Sequence, residues 1–109
     1  MRVLLDQCTP AAIRKYLTKH EVKTAREQGW STFSNGDLLR AAEEAGFEVL
    51  LTTDTHLIDE QNLRNVKIAI VVLSKNRWRS ILAAMDSVVG AVNSAKPGLF
   101  WVEIPTAGE

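Results

Sequence analysis

Two aspartates stand directly behind short apolar runs. Asp6 closes Val3-Leu4-Leu5, and Asp54 follows Val49-Leu50-Leu51-Thr52-Thr53. A Val- and Leu-rich run of this length, bounded by Gly46 and by polar residues, reads as a strand buried on both faces, as at the centre of a parallel sheet. Each aspartate then sits at the carboxyl end of its strand, the side on which open α/β sheets bind ligands. Parallel neighbours end on the same side, about 5 Å apart, so the two carboxylates face one crevice. A third, Asp37, falls in the first turn of a helix that begins at the same edge. Carboxylates gathered there repel one another, and removal from water adds to the cost unless a cation joins them. Mg²⁺ or Mn²⁺ suits such a site, because these hard ions take carboxylate oxygens, retain waters and complete their shell with a phosphate ester. The chemistry favoured is metal-assisted phosphodiester hydrolysis.

The elements that must position these groups follow in order along the chain. Arg2 to Asp6 is the first strand; Thr9-Pro10 then reads as an N-cap with proline at the first helical position. The spacing of Ala12, Ile13, Tyr16 and Leu17 predicts a covering helix to about Lys19. His20 to Ala25 alternates as a short edge strand, with His20 in a hydrogen-bonding role, and Arg26 to Trp30 is a turn or short helix. Ser34-Asn35-Gly36-Asp37 opens a helix from Leu38 to Ala45 that stops at Gly46. The segment Thr55 to Leu63 allows either a short helix or a loop. Lys67 to Leu73 is the clearest buried strand. After the basic, aromatic stretch Lys75 to Arg79 comes one long helix through Ile81, Met85, Val88 and Val92, and Leu99 to Ile104 is the last strand. Strands alternating with helices predict an α/β fold in which right-handed crossovers build a mostly parallel sheet covered on both faces, a three-layer α/β/α sandwich.

Composition narrows the function classes. The 109 residues make one domain, 1–109, with a polar tail from about 105. Thirteen acidic and thirteen basic residues balance, so no global field draws the chain to nucleic acid or to an anionic membrane, and any such contact is a local patch. Cys8 is the only cysteine, which excludes an internal disulfide and a thiolate zinc cluster. No segment reads as a signal peptide or a membrane span, and the expected location is the cytoplasm.

The order of Leu4-Leu5-Asp6, Asn35-Gly36-Asp37-Leu38-Leu39, Leu51-Thr52-Thr53-Asp54 and Gln61-Asn62-Leu63 resembles that of the bacterial PIN-like domain proteins, a group related to the VapC-like toxin ribonucleases. The resemblance implies a compact α/β fold, a carboxylate cluster holding Mg²⁺ or Mn²⁺, and endonucleolytic cleavage of RNA. For the toxins it also implies a small antitoxin protein as partner. Carried over residue by residue, Asp6, Asp37 and Asp54 become the catalytic, metal-holding acids. Asn35, Gln61 and Asn62 position water or phosphate, and Lys75, Arg77 and Arg79 meet the RNA backbone. PIN nucleases usually have a further acid shortly after the third, where this chain has Asp59 and Glu60. Asn35 stands where relatives often have another aspartate. Fewer acids weaken metal binding, so the rival reading is a catalytically degenerate domain that binds protein or RNA.

Bland readings stand beside these. Asp37 equally suits a helix cap and the helix dipole, and Asp54 suits a cap for the segment after it. Asp6 is harder to explain that way, because Thr9 already holds the cap position. His56 reads as a surface imidazole and Cys8 as inert packing. Trp78 either stacks on a base or packs on the sheet. Phe100 and Trp101 adjoin in the last strand, so one faces outward and is open to a homodimer or partner contact. A plain α/β domain with a small phosphate ligand also fits the residues.

Overall fold

The computed structural model describes residues 1–56 and 66–106. Five strands, β1 (Arg2–Leu5), β2 (Glu21–Thr24), β3 (Val49–Thr52), β4 (Ala69–Leu73) and β5 (Gly98–Val102), form one sheet in the order β2-β1-β3-β4-β5. All four pairings are parallel. Every residue of β3 and β4 is buried, which is why these strands read as unbroken apolar runs rather than alternating ones. The edge strand β2 keeps an alternating pattern with only Val22 buried.

Helical segments cover both faces, and the pleat divides the core between them. Val3, Leu5, Val49, Leu51 and Val71 point to one face, where Ile13 comes from a 3₁₀ helix (Ala11–Tyr16) and Leu17 directly follows it. The same face receives Ile81 from α2 (Trp78–Ala83) and Met85, Val88 and Val92 from α3 (Met85–Asn93). Leu4, Leu50, Ile70 and Val72 point the other way, against Leu38, Leu39 and Ala42 of α1 (Asn35–Glu44). Burying each such Leu or Val side chain stabilises the fold by about 1.5–3 kcal/mol.

The ends of α1 follow local rules. Ser34 caps it, its hydroxyl accepting the Asp37 N–H at 3.3 Å. At the other end the Phe47 N–H reaches the Ala42 carbonyl at 2.9 Å and the Gly46 N–H reaches Glu43 at 3.1 Å. That pair of bonds is a Schellman closure. Gly46 supplies the φ of 82° it requires, and a Cβ there would also press on the Arg2 guanidinium.

Three expectations are corrected. The first covering segment is a single 3₁₀ stretch ending at Tyr16, and Thr9 does not cap it, because the hydroxyl is turned toward Asp6. The long helix after Arg79 is two helices meeting at Ala84, a break that no proline or glycine signals. Finally, the crossovers are not all right-handed. The 3₁₀ connection from β1 to β2 and the α2–α3 connection from β4 to β5 lie on the same face but step across the sheet in opposite directions. They are therefore of opposite hand, and the usual rule for βαβ units holds for only one of them. Among the described residues no helix is long and apolar enough to cross a membrane.

Candidate functional site

The chain leaves β1 toward β2 on one side and returns by α1 to β3 on the other. Where connections part in this way, a crevice opens beyond the carboxyl ends of the two central strands. Asp6 and Asp54 stand at that crevice. The Asp6 N–H donates to the Leu51 carbonyl at 3.2 Å, carrying the β1–β3 ladder one step past the strand and fixing the backbone beneath the side chain.

Asp6 is 7% exposed. Both of its carboxylate oxygens accept hydroxyl hydrogens: Oδ1 from Thr9 at 2.5 Å, and Oδ2 from Thr52. The Thr52 hydroxyl in turn accepts the Asp54 N–H at 3.0 Å, so one threonine joins the two acids. Burial pushes the Asp6 carboxyl above the ordinary aspartate range and the charge of Asp54 adds to this, while the Thr52 and Thr9 hydroxyls pull the other way. The cost of a buried carboxylate is thus met in part by donors.

Asp54 lies nearer the surface. Its Oδ2 accepts from Asn35 Nδ2 at 2.9 Å, and its Oδ1 accepts the His56 N–H at 3.0 Å, an Asx-type turn that folds the chain back over the strand end. The exposed His56 ring has Nδ1 3.7 Å from the same oxygen. Asn35 is the first residue of α1, so the Ser34 cap that starts the helix also sets the donor that orients Asp54.

Asp37 is placed elsewhere. Its carboxylate is 60% exposed and pairs with Arg40 one turn along at 3.2 Å, while its N–H completes the cap. Among the described residues no group of three or more His, Cys, Asp and Glu side chains is arranged to hold a metal. The fold therefore brings together two of the three acids read as a cluster. Asp59, Glu60, Gln61 and Asn62 lie outside the described residues.

Among the described residues, three cavities open along this edge. A small one of about 190 Å³ lies between Asp6, Asp54 and Asn35, with Trp30 and Phe33 at its rim. Beyond β3 and β4 a cavity of about 690 Å³ is lined by Asp54, His56, Lys75, Arg77 and Thr106. On the β2 side one of about 640 Å³ is lined by Asp6, Thr9, Thr24, Arg26 and Ser31. Arg79 is exposed on α2 and lines none of them; Trp78 is half-buried and packs against Tyr16, with ring centroids 6.3 Å apart. Cys8 lines two of the cavities. Desolvation, then the charges of Asp6 and Asp54, push its thiol up, the opposite direction from the lowered values of reactive thiolates.

Thr9, Thr52 and Arg26 were not among the site residues read from the sequence. For the threonines a signal existed: a buried strand-end carboxylate needs hydroxyl or amide donors, and Thr52-Thr53 and Thr9 are the nearest in sequence. Arg26 carried none. No protein-family model matches the chain, and neither do the curated proteins or the solved structures.

Proposed function

We propose that the protein is a Mg²⁺- or Mn²⁺-dependent endoribonuclease of the PIN-like class, with Asp6 and Asp54 as the metal-holding acids. The observation that carries this reading is the pairing of two carboxylates at the strand-order switch, tied through Thr52 and bordered by the cations Lys75 and Arg77. The donor set suits a hard ion: each carboxylate has about four lone-pair positions, and the donors on Asp6 (the Thr9 and Thr52 hydroxyls and the Cys8 N–H) and on Asp54 (the Asn35 amide and the His56 N–H) leave a position open on each side chain. Mg²⁺ commonly takes one or two carboxylates and completes its shell with water and phosphate.

Bound there, the ion would polarise a water and offset charge on a phosphate. The protein's own part is positional. Thr9 and Thr52 hold Asp6 in one orientation, Asn35 and the His56 N–H hold Asp54, and Lys75 and Arg77 bind the phosphates alongside.

Titration with Mn²⁺ tests the site. Selective NMR line broadening around residues 6 and 54, lost in Asp54→Asn, together with metal-dependent cleavage of single-stranded RNA, is the expected result. One observation favours the rival, a degenerate binding module: Asp37 is absent from the pair and occupied by Arg40. RNA binding without site-specific broadening at millimolar Mn²⁺ would establish that alternative.

A further inference from the structure

The three cavities share residues, and that sharing orders them. The central one has Asp6 in common with the β2-side cavity and Asp54 in common with the β4-side cavity. Together they form a trough across the carboxyl edge of the sheet, with the two acids in the middle. Its span from β2 to β4 covers three strand spacings, about 14 Å. Lys75 and Arg77 stand in one arm. Arg26 stands in the other, in the turn after β2.

Arg26 is exposed and has no hydrogen bond or ion pair to another side chain among the described residues. Its sequence neighbour Glu27 does not neutralise it. That carboxylate accepts from Arg14 and from the Thr24 N–H at 2.9 Å, so the local acid is committed elsewhere. Apart from Asp6 and the Thr9 that holds it, the polar groups of this arm, Gln7, Thr24 and Ser31, are neutral and suited to phosphate and sugar oxygens. Phe33, 42% exposed at the rim of the central cavity, offers an aromatic ring to an unstacked base.

We propose that Arg26 forms a phosphate-binding subsite on the β2 side, and that the ligand is a single-stranded polynucleotide lying across the trough from Arg26 to Lys75 and Arg77. A free phosphate fills one arm only; a chain of phosphates meets cations on both sides of the acids. The proposal rests on the nuclease reading for the central acids, and it is tested by binding rather than by turnover.

The experiment is fluorescence anisotropy of a short single-stranded RNA and of a dinucleotide, across a salt series in EDTA and again in Ca²⁺, for wild type, Arg26→Ala and Arg26→Lys. Arg26→Ala is expected to weaken oligomer binding roughly tenfold and to lower the salt slope by about 0.7, one single-strand phosphate contact. Arg26→Lys restores most of the slope, dinucleotide affinity is unchanged, and the melting temperature of each variant stays at the wild-type value. Wild-type affinity and slope in Arg26→Ala would overturn the subsite, as would an equal loss for the dinucleotide or the absence of oligomer binding under both conditions. Oligomer binding with the expected Arg26 dependence, but no cleavage in Mn²⁺, would remove the nuclease reading and leave this subsite standing. Cleavage insensitive to Arg26 would do the reverse.

Discussion

The end of β1 and the first turn of α1 each hold an aspartate, and the two environments are opposites. At the end of β1 the sheet buries Asp6, two threonine hydroxyls hold its oxygens, and a second carboxylate lies beyond Thr52. In the first turn of α1, Asp37 points to solvent, pairs with Arg40 and serves the helix through its N–H. Desolvation and a like charge act on the first; on the second, only the helix dipole and an exposed ion pair do. The lesson is that a carboxylate gains chemical potential from what surrounds it on several strands, whereas an acid in a first helical turn is explained by its own helix.

The sharpest way to break this contrast is to remove charge at each position. Asp54→Asn is expected to reduce metal-dependent RNA cleavage by at least about 10²-fold, beyond the usual effect of losing a residue that only supports a ligand, while Asp37→Asn leaves the rate within about twofold of wild type. Rates for purified variants at saturating Mn²⁺ decide the matter, and equal losses at the two positions would erase the distinction.

Thr52→Val probes the link between the acids. It leaves an Asp6 oxygen short of a donor and the Asp54 N–H without its acceptor, and should cost about 1–3 kcal/mol. Thermal unfolding then falls by several degrees for a domain of this size, since about 1 kcal/mol corresponds to roughly 4–8 °C.

A smaller effect of opposite sign is expected from Asp6→Asn. The folded state raises the Asp6 pKa, so it binds the proton more tightly than the unfolded chain. The resulting stabilisation is fully present below the unfolded-state value, about 3.9, and is lost as pH rises through the raised folded value. Removing the charge should therefore increase stability at pH 7 by on the order of 1 kcal/mol and flatten that part of the pH profile. Denaturant melts from pH 4 to 8 measure both; a variant less stable than wild type at pH 7 would mean that the hydroxyl bonds outweigh the burial.

The smallest effect belongs to Asp37→Asn on stability. An exposed i,i+3 pair contributes about 0–1 kcal/mol, so its denaturation midpoint should barely move. Ser34→Ala, by contrast, removes the cap itself and should cost about 1 kcal/mol, which separates the helix-end role from the carboxylate.

Much of this was legible in the residues. The apolar runs at Val3–Leu5, Val49–Leu51 and Ala69–Leu73 determine buried strands, because only a strand covered on both faces tolerates so little polarity. Ser34 and Gly46 determine the ends of α1 through backbone groups a few residues away. The aspartates behind β1 and β3 determine that any crevice at the carboxyl edge is acidic. Each of these depends on neighbours in sequence, so a linear reading reaches them.

Only the tertiary structure decided the rest, because it depends on contacts between residues far apart in the chain. Thr52 donates to Asp6 across 46 positions, which no local pattern encodes, and Thr9 turns from the helix it precedes because a buried carboxylate is the stronger acceptor. No local pattern marks the helix break at Ala84, and the opposite hands of the first and last crossovers follow from α2 and α3 sharing one face with the 3₁₀ helix. Asp37 was separated from Asp6 and Asp54 by the rotation of α1, which turns Leu38, Leu39 and Ala42 to the sheet and leaves Asp37 exposed to solvent. Periodicity determines which residues a helix buries; the packing of that helix decides which of its polar groups reach the crevice.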